Sequence, residues 1–368
     1  MGARSAVIAH ITFYVSGLLM TTLLDLEGKF GSNQPRTLFA ALAQYAGMLM
    51  VLPVDAAVWQ LGKGPPPFSR GWHLRLILPC ALPDLLDTFF TMYAILNLGG
   101  GLFIVVFSFV TVAVALLRRL VLRRSPTRVQ WLAVIVITAG IAASGASTLT
   151  ANFSTASLLG LLSALAAAAC DAVLYVFAER ALSATEGPSA NELTYISAII
   201  NLSITSVYVL SYAAAGQWQE WVVEPLLASH CHSSSSAVVG TWVVLGLAYW
   251  AHYQSFYLSV GGSNAVAAGV NKALQSASIF FTAHVLFCDS GGFHGGIPAP
   301  CRRANECLTP LKIASSAAVF LGTVLYGVGA QQRGTAAAET VADDAEQREG
   351  YDPPLLPERP WPVTSQVQ

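Results

Sequence analysis

Four stretches of this chain, Ser5–Leu24, Thr88–Leu117, Val129–Cys170 and Pro225–Asn271, contain no Asp, Glu, Lys or Arg. A membrane-spanning helix needs about 20 mostly apolar residues, and several of these runs hold enough for one or two. Charged residues make up 11% of the 368 residues, less than half the roughly 25% of a soluble domain. Basic and acidic residues balance at 19 and 20, which leaves no cationic excess for a nucleic-acid partner. A soluble enzyme, a fibrous protein and a nucleic-acid binder are therefore excluded. Strand alternation is absent and the runs are too long for a β-barrel. The chain reads as an all-α polytopic membrane protein embedded in a lipid bilayer.

Ten spans are expected, near 5–24, 38–59, 74–97, 101–120, 129–149, 156–178, 193–215, 237–260, 265–287 and 311–330. Pro65-Pro66-Pro67, Gly99-Gly100-Gly101 and Gly261-Gly262-Ser263 punctuate them. The third and fourth spans almost touch, so the glycines must supply a very tight turn. The first apolar stretch lacks a small-x-small cleavage site and reads as a span, not a signal peptide. Residues 333–368 change character, with seven acids, two arginines and five prolines after Gly334. Such a composition predicts a disordered tail.

Orientation follows from the basic residues of short loops. With the N-terminus in the cytosol, eleven of them, including Arg118, Arg119, Arg123 and Arg124, fall on the cytosolic side and five on the other. An even number of spans returns the C-terminus to the cytosol. Cys231, Cys288, Cys301 and Cys307 then lie in extracytosolic loops, where two disulfides are expected and three pairings are open. Zinc held by these thiols with His230, His232 and His294 is the lesser alternative, and no metal or cofactor is expected. Cys80 and Cys170 lie within spans as inert core residues. The sequon Asn152-Phe153-Ser154 also falls outside the cytosol, close against the fifth span.

Tyr93–Gly145 resembles Tyr257–Gly329. Each copy starts at a Tyr, meets a Gly-Gly turn and closes with a basic residue seventeen positions before a Gly, Arg128 to Gly145 and Lys312 to Gly329. Five spans per copy is an odd number, so the halves have opposite orientation, the plan of many secondary transporters. The expected units are 1–150 and 151–332, the second carrying a cysteine-bearing loop at 288–310.

Three patches carry a family likeness: Leu78-Pro79 with Asp84, Tyr93 and Asn97; Arg119 with Leu122-Arg123-Arg124 and Gln130-Trp131; and Leu321–Gly329. On these the chain resembles the drug/metabolite transporter superfamily, nearest its chloroquine-resistance-transporter-like and nucleotide-sugar-transporter-like branches. The resemblance implies ten helices in two inverted five-helix repeats, and export of small organic solutes such as amino acids, peptides or basic drugs from an acidic vacuole. A Golgi exchanger of nucleotide sugars or phosphorylated metabolites is the alternative. Polar residues that those branches often carry early in the fourth span are replaced here by Leu102–Phe107.

Ionisable side chains within spans are costly and face protein or water. Asp84 and Asp87, three apart on one helical face, follow Pro79 and Pro83, which free backbone carbonyls beside a cavity or neighbour. Two carboxylates so close oppose each other's ionisation, an arrangement suited to proton exchange; a solvated edge is the competing reading. Asp171 shares a small-residue face with Ala164 and Ala168 and points into the bundle, as a functional group or a structural hydrogen-bonding one. Lys272 is the one base within a span, set in a polar stripe with Asn271, Gln275, Ser276 and Ser278. It either bridges to one of the aspartates or meets an anionic part of the solute. His10, His252 and His284 read as core residues, and the Tyr249–Tyr257 aromatics as packing with one or two in a cavity wall.

Three deep acids against one lysine favour a cationic, zwitterionic or proton-coupled solute over a nucleotide sugar, which would call for more bases. The expected function is proton-coupled secondary transport by alternating access, not an enzyme, since His-Glu-x-x-His and paired His ligands are absent. A scaffold or receptor is the remaining class. Asp352, Leu355 and Leu356 form an Asp-x-x-Leu-Leu sorting pattern in the tail, pointing to sorting adaptors and a lysosome-like or vacuolar membrane, with Golgi second.

Overall fold

The structure is a computed structural model and describes residues 3–63, 65–69, 71–123, 126–151, 155–229, 231, 234–288 and 307–349. Its elements are helical, with no strand among the described residues. In order they are α1 (Ala3–Phe30), α2 (Phe39–Leu49), α3 (Val51–Gln60), α4 (Leu74–Leu98), α5 (Gly100–Phe107), α6 (Val110–Val121), α7 (Arg128–Ala151), α8 (Thr155–Leu182), α9 (Ala190–Ala214), α10 (Glu224–Ala228), α11 (Ser235–Gly262), α12 (Ala265–Phe287) and α13 (Pro310–Glu349).

Among the described residues, six segments are long and apolar enough to cross a membrane: Val7–Phe30, Phe39–Gln60, Leu74–Leu98, Thr155–Leu182, Ala190–Ala214 and Pro310–Gly329. Their side chains are sorted for lipid. On α4 the exposed face carries Leu78, Leu82, Leu86, Phe89, Tyr93 and Leu96, while Asp84, Asp87 and Thr88 are buried on the opposite face. A water-soluble helix has the reverse polarity. With apolar residues outward and ionisable ones inward, the fold is that of a polytopic α-helical membrane protein.

Local chemistry sets the joints. Gly99 adopts φ 77°, a conformation open to glycine without strain, and turns α4 directly into α5. The break between α2 and α3 at Met50 precedes Pro53, which has no N–H to continue the ladder. Ser189 caps α9 in a reciprocal capping box with Glu192. A short helical segment, Gln219–Ala228, fills the connection between α9 and α11, read from sequence as plain loop.

Pairwise, α4 packs along α8, α1 along α11 and α7 along α13. One end of the bundle holds the Cys288–Cys307 disulfide and the α4–α5 turn; the other holds Arg118 and the start of α12. They are called the disulfide end and the arginine end below. Cys231 is also disulfide-bonded, and Cys301 lies outside the described residues. His284 lies beside Cys288 and Cys307, but sulfurs joined to each other offer no thiolate to zinc.

The disordered tail needs correction over residues 333–349, where α13 continues to Glu349. Alanines at 336–338, 342 and 345 give this polar stretch high helix propensity. Asp352, Leu355 and Leu356 lie outside the described residues.

Opening the 19-residue Cys288–Cys307 loop by a double Cys→Ser substitution is expected to cost about 3 kcal/mol. A fall in the unfolding temperature of the purified double variant relative to wild type would show it. An unchanged temperature would refute it.

Candidate functional site

A cavity of about 50 Å³ lies among α1, α2, α4, α5, α8, α11 and α12. Two carboxylates and one amine line it: Asp87 of α4, Asp171 of α8 and Lys272 of α12. Each is less than a tenth exposed. Asp87 interacts electrostatically with Asp171, Asp84 and Lys272, and Lys272 with both Asp171 and Asp87. No direct ion pair joins Lys272 to a described residue within 4.0 Å. Its Nζ instead sits 5.4 Å above the Phe107 ring, a favourable cation–π placement. Lys272 thus shares the cavity with two carboxylates without a closed bridge to either.

Short local bonds hold the acids. The Thr91 hydroxyl donates to Asp87 Oδ1 at 3.3 Å, and Asp171 shares a side-chain hydrogen bond with Tyr175. Aromatic rings form much of the wall: Phe103, Phe107, Tyr175, Tyr249, Tyr253 and Phe256. The apolar Leu102–Phe107 stretch therefore contributes two rings to the cavity. His252 lines it too, with its Nδ1 3.2 Å from the Ser16 hydroxyl and its ring 4.5 Å from that of Phe13.

Asp84 is separate from Asp87 despite lying one turn away. Fully buried outside the cavity lining, it accepts from the Tyr253 hydroxyl at 2.7 Å, Gln44 Nε2 at 3.2 Å and Asn201 Nδ2 at 3.3 Å. Gln44 is held in turn by the Thr88 hydroxyl at 3.0 Å. Three donors from α2, α9 and α11 make Asp84 a tie between four helices. Buried carboxylates are tolerated when paired in this way.

Asn271 and Gln275 are likewise structural. Asn271 Nδ2 donates to the His10 carbonyl at 3.0 Å, and Gln275 Nε2 to the Phe13 carbonyl at 2.7 Å. Gln275 lies where a side chain at Gly17 would have to be, so the two amides of the α12 stripe are spent on the backbone of α1, while Ser276 and Ser278 bond carbonyls of their own helix. Of the sequence-derived set, Asp87, Asp171 and Lys272 converge on the cavity, whereas Asp84, Asn271 and Gln275 do not line it.

Sequence reasoning placed Tyr253 only among aromatics that pack or line a cavity wall, and missed Gln44, Asn201 and a polar cluster at the arginine end. There Arg118 grips Glu179 through Nε at 3.1 and 2.9 Å and through Nη2 at 2.9 Å. Glu179 Oε2 also accepts the Ala265 N–H at 2.9 Å, capping the start of α12 with negative charge. The group joins α6, α8 and α12. At the opposite end Leu24, Ile95 and Phe103 continue the cavity wall toward the disulfide end.

No protein-family model matches the chain, and no curated protein matches it. Among solved structures, one described only as "Crystal structure of protein" matches with a TM-score of 0.55 at 15% identity, over 88% of this chain and 98% of that one. The likeness extends to the fold alone.

Proposed function

We propose that this protein is a secondary transporter of small organic solutes that carry an ammonium group, such as amino acids, peptides or basic drug-like compounds, coupled to protons and working by alternating access across an intracellular membrane. The observation that carries the reading is the convergence of Asp87, Asp171 and Lys272, from three helices, on one cavity inside a lipid-sorted bundle. Isolated charges at that depth are costly, and two carboxylates against one ammonium leave a place for a cation or a proton.

Helix pairing supports ten spans in two inverted repeats. With α2–α3 and α5–α6 each taken as one broken span, exchanging the two halves converts the α1–α11 contact into the α8–α4 contact. The α7–α13, α6–α12 and α2–α9 contacts each map onto themselves. This is the plan in which rocking halves alternate around a midplane site. The wall continuing toward the disulfide end, with Arg118 and Glu179 clasped at the other, corresponds to a state facing away from the cytosol.

Proteoliposome uptake of L-arginine under an imposed pH gradient tests the reading. Uptake that collapses, by roughly tenfold or more, when an ionophore dissipates the gradient is expected for a coupled carrier. Uptake of a nucleotide sugar indifferent to pH, with none of L-arginine, would replace this reading by the exchanger.

A further inference from the structure

We infer that a second, outer subsite lies between the central cavity and the disulfide end, built to take the primary ammonium group of the solute before it reaches Asp87 and Asp171; the inference rests on the transport reading above. A separate small cavity of about 20 Å³ is lined by Asp25, Gly28, Lys29 and Asn33 of the α1 end, with Met92, Ile95 and Leu96 of α4. Met92 and Ile95 also line the central cavity, so the two chambers share a wall.

The chemistry of the outer chamber repeats that of the inner one. Lys29 is paired with Asp25 Oδ2 and lies over the Phe287 ring at 3.4 Å. Both residues are buried. Asn33 is 4% exposed, and its Oδ1 is buried without a hydrogen-bond partner, while its Nδ2 donates to the Leu24 carbonyl at 3.4 Å. A buried acceptor left unmade is unfavourable, and this one belongs to a residue lining the cavity.

A space near 20 Å³ holds one group of about the size of a water. A primary ammonium fits that volume and donates to both Asn33 Oδ1 and Asp25. The Asp25 carboxylate, already paired with Lys29, has further lone pairs for that ammonium. Asp87, Asp171 and Lys272 offer the same partners beyond Met92 and Ile95.

The test uses the full chain with L-arginine as probe. In proteoliposomes Asn33→Leu is expected to raise KM about tenfold, the equivalent of one lost charge-assisted hydrogen bond at ~1.4 kcal/mol, with Vmax kept within about twofold. Asn33→Asp, which keeps an acceptor, is expected to restore the wild-type KM or lower it. An unchanged KM in folded Asn33→Leu protein overturns the outer subsite and leaves the transport reading standing. Equilibrium binding supplies an independent arm. In detergent, Asp87→Asn protein should retain weak, roughly millimolar L-arginine binding that Asp25→Asn removes. Absence of that residual binding also overturns the subsite. Absence of wild-type uptake while the residual binding persists overturns the transport reading instead.

Discussion

Asp87→Asn should abolish gradient-driven L-arginine uptake, lowering it by about 30-fold or more, because removing one partner of a desolvated charge contact costs ~2–5 kcal/mol and 1.4 kcal/mol is tenfold. The substitution keeps the shape of the side chain and its bond with Thr91. It also removes one of two buried like charges facing the cavity with Asp171, so thermal stability should hold or rise. Asp84→Asn should behave in the opposite way. The new amide N–H₂ would meet the donor of Asn201 in one orientation and that of Gln44 in the other, so one buried donor loses its acceptor either way, at about 1–3 kcal/mol. The expected pair of results is therefore a stable, inactive Asp87→Asn protein and a less stable Asp84→Asn protein that still transports. Uptake and melting temperature measured on both would decide it. Wild-type flux in Asp87→Asn would remove that residue from the site, and equal melting temperatures would remove Asp84 from the helix tie.

Asp84 and Asp87 also show where sequence stops. Rarity of charge within apolar runs singled out Asp87, Asp171 and Lys272, and the structure brings all three to one cavity. Helical spacing placed Asp84 beside Asp87 but carried no information on what each faces. The donors that claim Asp84 come from positions 40 to 169 residues away, a tertiary fact no local pattern contains. The stripe of Asn271 and Gln275 looked like a binding face by composition. It is spent on α1 carbonyls because Gly17 leaves room for Gln275, and only the paired helices reveal that approach. Gly99 was readable because a direct helix-to-helix turn requires a residue free of a side chain. The continuation of α13 past Gly334 was not, since polar, alanine-containing sequence suits a solvated helix as well as a disordered tail.

Arg118 was visible from sequence only as one of several loop-side arginines, yet it carries the largest expected effect on stability. Its side chain and that of Glu179 are 9% and 5% exposed, and breaking a buried pair from one side strands a charge at ~3–5 kcal/mol. Glu179→Gln should therefore be strongly destabilising even though Gln still offers an oxygen to the Ala265 N–H. Arg118→Met should be equally so, because the carboxylate is left without its guanidinium. The double variant Arg118→Met/Glu179→Gln holds no charge, keeps an acceptor for the start of α12 and should recover most of the loss. Thermal unfolding of the three purified variants measures that coupling directly. Additive losses in the double variant would show that the pair contributes nothing as a pair. In the transport reading, the same double variant loosens the clasp between α6, α8 and α12 without stranding a charge. A thiol reagent should then modify a cysteine placed at Ala268 of α12, buried in the present state, faster than in the wild-type background. Equal rates would mean that the arginine end is closed by packing and that the ion pair is no part of the gate.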